Sequence, residues 1–159
     1  MEEMRQVKAL GMSTLVIQYV YLLCQTSNLP HSLFSLGSAG KDDPSHKHVQ
    51  LTRLVSDLRE ITRAVPGITL ALENTVHPSL HSLTTLSSLC AILTHFPPSQ
   101  LKLCLDLSHL HVSEFDLNSK SGRKEMWELL EKAGKTRVVG VHISDNYVAH
   151  GGKGDRHAK

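Results

Sequence analysis

Three short apolar runs, each ending in a residue able to bind a metal, recur at a near-constant interval. That repeat constrains the fold of this 159-residue chain more than any other feature. The runs cover residues 68–73, 101–106 and 137–143, and Glu73, Asp106 and His142 stand at or next to their ends, 33 and 36 residues apart. Runs that are apolar on alternate and intervening positions suit strands buried on both faces. Before the first run, Leu51, Leu54, Val55, Leu58, Ile61 and Val65 repeat at helical spacing until Pro66-Gly67 stops them. Leu80, Leu83, Leu86, Leu89, Ile92 and Leu93 do the same before Pro97-Pro98, and Met126, Leu129, Leu130 and Ala133 before Gly134. Helix and strand therefore alternate, which predicts βαβ units and a parallel sheet. A doubly wound sheet and a (β/α)8 barrel both satisfy the pattern. The chain is shorter than the ~200 residues of a whole barrel, so a small open sheet or part of a barrel is expected.

The amino-terminal third is less regular. Residues 11–16 read as the start of a strand, 17–34 have no clean period, and 35–45 form a Gly/Ser/Asp/Pro loop. The apolar stretch from Leu15 to Cys24 is broken by Gln18 and is shorter than the ~18 residues of a membrane span, so no membrane association is expected. Met1-Glu2-Glu3-Met4 is acidic where a secretory signal is basic. Cys24, Cys90 and Cys104 form no CxxC pair, which excludes a zinc ribbon and fits a reducing, intracellular setting.

Composition narrows the chemistry. The formal net charge of +2 excludes a strongly basic nucleic-acid tail, and aromatic residues at 4% exclude a base-stacking platform. Eleven histidines instead favour a metal site. In parallel α/β folds the catalytic groups lie at the carboxyl ends of strands, where Glu73, Asp106 and His142 are expected. His109 follows Asp106 closely enough for a loop to return it to the same mouth. Asp155 and His157, on the glycine-rich segment after Gly151-Gly152, project to one side if that segment is extended. Carboxylates and imidazoles without thiolates suit zinc or manganese in a hydrolytic site. Each residue also has an ordinary structural role open to it. Asp106 could cap a helix, Glu73 could be a paired buried acid, and His142 a hydrogen-bonded core residue; Asp155 suits a turn and His157 a solvated terminus. Gly151-Gly-Lys-Gly154 lacks the hydroxyl residue of a phosphate-cradling loop, and no Gly-x-Ser-x-Gly elbow is present.

Four segments, Ala71-Leu-Glu73-Asn74-Thr75, Cys104-Leu-Asp106-Leu-Ser-His109, Val141-His142-Ile-Ser-Asp145 and Asp155-Arg156-His157, together resemble the signatures of the endonuclease IV family of apurinic/apyrimidinic endonucleases. The resemblance covers residues 37–159, with residues 1–36 atypical. It implies a partial (β/α)8 TIM barrel made of a single incomplete domain over residues 1–159. It implies three zinc ions in the family, with double-stranded DNA carrying abasic sites as partner, and phosphodiester hydrolysis 5′ to the lesion in base excision repair. Glu73 would be the catalytic carboxylate bridging two ions, and Asp106 and His142 would serve one of that pair. His109, Asp155 and His157 would form the third site, and Lys153 and Arg156 would contact phosphate. Two earlier histidines and a final glutamate of the family pattern have no counterpart here, so one full site and parts of two are expected. The implied compartment is the nucleus, with the mitochondrion as alternative; protein partners are not indicated. Two rivals are a metal-dependent sugar isomerase or epimerase barrel and a non-catalytic piece that only binds metal or DNA.

Overall fold

The computed structural model describes residues 2–18, 44–76, 85–152, 154 and 156–158. The first helix, α1 (Glu2–Ala9), leads through a turn at Gly11 into β1 (Thr14–Gln18). Helix α2 (Pro44–Ala64) begins on proline, whose fixed φ and missing N–H cost nothing at a helix start. It buries Leu54, Val55, Leu58 and Thr62 and halts at Pro66-Gly67, where Gly67 adopts a φ of 88°. The Lys8 ammonium donates to the Pro66 carbonyl and ties α1 to that turn. Strand β2 (Thr69–Glu73) follows, one residue shorter than the sequence pattern predicts.

Helix α3 (Leu86–Leu93) starts on Thr85, whose hydroxyl accepts from the Ser88 N–H. The helical spacing predicted from Leu80 begins outside the described residues. Strand β3 (Leu101–Asp106) matches its predicted bounds, but a short helix, α4 (Leu107–Ser113), replaces the loop expected after it. The cause is Asp106 itself, which caps that helix. Helix α5 (Lys120–Ala133) is capped by Ser119 and ends at Gly134. A single 3-10 turn (Lys135–Arg137) then opens β4 (Val138–His142), narrower than the predicted 137–143. The Arg137 guanidinium donates to the Phe96 and Leu101 carbonyls, fixing this entry against the preceding βα unit. Two short antiparallel strands, β5 (Asp145–Asn146) and β6 (His157–Ala158), complete the described chain.

Strands β1 to β4 pair in sequence order, all parallel, as the βα repeat requires. Leu70 and Leu72 of β2 and Leu101, Leu103 and Leu105 of β3 join α2, α3 and α5 in one apolar core. Side chains alternate along a strand, so Ala71, Glu73, Cys104 and Asp106 occupy the opposite face. An irregularity between Leu103 and Cys104 re-aligns β4, setting Gly140 opposite Cys104 and His142 opposite Asp106. A register shift of this kind turns alternate side chains to the other face, and here it brings His142 level with the two carboxylates. Four parallel strands wound this way, with helices on one side, form half of a (β/α)8 barrel.

Candidate metal centre

The strand register places Glu73, Asp106 and His142 together at the carboxyl edge of β2, β3 and β4. Glu73 and Asp106 are buried, whereas the His142 side chain is about half exposed at 53%. One ligand atom from each residue lies within 4.8 Å of the other two. His142 Nδ1 is 3.0 Å from Glu73 Oε1 and 3.9 Å from Asp106 Oδ2. Donors ~2.1 Å from zinc in a tetrahedron stand roughly 3.4 Å apart, a value these two distances bracket. Two carboxylates and one imidazole, with ligand atoms within 4.8 Å of one another, could hold a divalent ion such as zinc or manganese.

Asp106 fills the capping role with one oxygen and leaves the other directed at the cluster. Oδ1 accepts the His109 backbone N–H at 3.0 Å as the N-cap of α4. Oδ2 is the oxygen nearer His142. Capping thus locks the carboxylate's orientation and leaves the other oxygen turned toward the cluster. His142 is not a core histidine: it lies on an exposed strand and is held by Glu73.

Asn74 is the residue the sequence reading passed over as a functional element. It is 1% exposed, and its amide both donates to the Asp106 carbonyl and accepts from the Asp106 N–H. These two bonds continue the β2–β3 ladder through a side chain. They fix Asp106 relative to Glu73, the residue before Asn74. The Asn74 carbonyl also accepts from His109 Nδ1 at 2.9 Å. An asparagine directly after the strand-ending acid was the available signal.

His109 is therefore buried at 1% beside the cluster, yet it is not one of the three residues that converge. Its proposed companions are only partly described. Asp155 and Lys153 lie outside the described residues, and only the backbone of His157 is described. That backbone pairs with Asn146, whose amide donates to Ser108 Oγ at 2.6 Å, next to His109. Arg156 is exposed, and its carbonyl accepts from the Tyr147 N–H. These pairings set Arg156 and the His157 backbone against the segment that follows β4.

Cys104 also faces the cluster, with Sγ 3.8 Å from His142 Nε2. Its thiol pKa is raised, first by burial and then by the neighbouring charges of Glu73 and Asp106. The thiol therefore keeps its proton near neutral pH and is a poor nucleophile. Among the described residues no helix is long and apolar enough to cross a membrane.

Comparison with known proteins agrees with the fold. A family model described as a xylose isomerase-like TIM barrel matches residues 1–159. A curated relative named probable endonuclease 4, from Moorella thermoacetica, is 32% identical over 112 residues, covering 68% of this chain and 40% of the relative. Another of that name, from Cenarchaeum symbiosum, is 27% identical over 139 residues, covering 84% of this chain and 48% of the relative. The chain thus spans less than half the length of these relatives. A solved crystal structure, AsfvAP:AG, superposes on 99% of this chain and 46% of its own with a TM-score of 0.61 at 18% identity, a likeness of fold. The chain belongs to the xylose isomerase-like TIM barrel family and is similar, within it, to proteins named endonuclease 4.

Proposed function

We propose that this chain takes part in zinc-dependent hydrolysis of DNA on the 5′ side of abasic sites, as a base excision repair endonuclease. The observation that carries this reading is the convergence of Glu73, Asp106 and His142 at one strand edge, in a chain whose relatives are named endonuclease 4. A bound zinc supplies Lewis acidity, lowering the pKa of water toward neutrality and neutralising charge on a phosphate. Glu73 would offer its two oxygens as a shared donor. Asp106 would hold one donor oxygen in place through the α4 cap, and His142 would donate from the exposed side, where a DNA backbone can approach. His109, Asp155 and His157 are the candidate second set of donors. Lys153 and Arg156 are the candidate phosphate contacts, which would make binding weaken with salt but carry no sequence information.

The test is incision of a duplex bearing one synthetic abasic residue, with polymerase extension reporting the 3′-hydroxyl. Zinc-dependent cleavage 5′ to the lesion, lost in Glu73→Gln, is the expected result. Zinc binding without incision, in a preparation that turns over ketoses, would replace this reading with the sugar isomerase one that the family also accommodates.

A further inference from the structure

The imidazole of His142 is held at both nitrogens. Nδ1 meets Glu73 Oε1 at 3.0 Å, while Nε2 meets Cys104 Sγ at 3.8 Å. The sulfur reaches the ring because Gly140 stands opposite Cys104 in the register: a Cβ on Gly140 would come to 3.3 Å from Sγ. A histidine ring turns about a broad, two-fold torsion, so an exposed one has two orientations of similar intrinsic energy. Rotating this ring by half a turn would set carbons in place of both nitrogens and forfeit both contacts.

We propose that Cys104 is a positioning residue for His142, its sulfur acting with Glu73 to select the ring orientation that turns Nδ1 toward Glu73 and Asp106. In the metal-free protein Nδ1–H donates to the Glu73 carboxylate, and Nε2 accepts the Cys104 S–H. When Nδ1 serves a cation, the ring proton resides on Nε2 and donates to the sulfur instead. A thiol supplies both roles, as does a hydroxyl, whereas a methyl group supplies neither. Metal-bound histidines are commonly oriented by a partner on their second nitrogen, and Cys104 fills that place here. The ring orientation stands on the geometry alone; the effect on zinc rests on the function proposed above.

The experiment is long-range 1H–15N correlation of the histidine rings in the metal-free protein, with His142→Gln assigning the signal, paired with zinc affinity by competition. Wild type and Cys104→Ser are expected to show a single Nδ1–H form of His142 and similar zinc affinity. Cys104→Ala is expected to lose the single form and about tenfold in zinc affinity. Cys90→Ala, a buried cysteine on α3, is the control and is expected to change neither. A wild-type ring pattern in Cys104→Ala overturns the inference while leaving the metal reading intact. A ring that depends on Cys104 in a protein that binds no zinc upholds the positioning role and refutes the metal reading.

Discussion

Asp106 allows its two roles to be separated by two substitutions at one position. Alanine removes the cap on α4 and leaves the His109 N–H buried without its acceptor, in a residue pair exposed by 3% and 1%. Cap removal costs about 1 kcal/mol and an orphaned buried donor about 1–3 kcal/mol. These overlap, since they describe the same bond, so Asp106→Ala should lose about 2 kcal/mol of folding stability. Asparagine caps as well as aspartate, so Asp106→Asn should lie within about 0.5 kcal/mol of wild type. Zinc binding should separate from stability. Asparagine supplies no charged oxygen at Oδ2, and even indirect partners of a metal ligand are worth about 10–100-fold in affinity, so both variants should fall at least that far. Urea titration at fixed pH measures the first quantity and competition with a chromophoric chelator the second. Equal destabilisation by Asn and Ala would refute the cap; wild-type zinc affinity in Asp106→Asn would refute the donor role.

Other outcomes follow from the same geometry. Asn74→Ala should cost about 3 kcal/mol in urea titration, because it strips partners from the buried N–H and C=O of Asp106; a loss under 1 kcal/mol would show that Asn74 is not holding β2 to β3. Gly122→Ala, in a helix where alanine ordinarily gains about 1 kcal/mol, should instead destabilise α5 by about 1–3 kcal/mol. The added Cβ would clash with the Asp116 carbonyl oxygen, and a raised Tm would contradict that contact. Burial, assisted by Glu114, raises the Cys90 pKa from 9.0 to about 11. The unfolded chain thus releases this proton first, and the associated stability is complete below pH 9 and lost as pH rises to 11. Denaturation midpoints of wild type and Cys90→Ala across that window should show a fall that only the wild type carries.

Much of the architecture was legible because it depends on local pattern. The apolar runs at β2, β3 and β4, with helical periods and proline or glycine stops between them, needed only burial and chain stiffness to declare parallel βα units. The acids and imidazole at their ends were legible for the same reason, since strand ends in such units share an edge. Other features were not. Helix α4 carries too short a period to announce itself, and it depends on the capping bond from Asp106. Asn74 stood inside a family-like segment with no role of its own, because its partners lie 32 positions away on β3.

By itself, then, the chain's order of residues determined which chemistry was available and at which level of the sheet it would emerge. Tertiary structure alone decided which atoms face one another. The register shift between Leu103 and Cys104 brings His142 level with Asp106, and the α4 cap assigns one carboxylate oxygen to the backbone and the other to the cluster. The sulfur of Cys104 meets the ring across a gap left by Gly140. Periodicity reports which face a side chain takes, because that is set every two or four residues; contact between strands depends on alignment, which no local pattern carries.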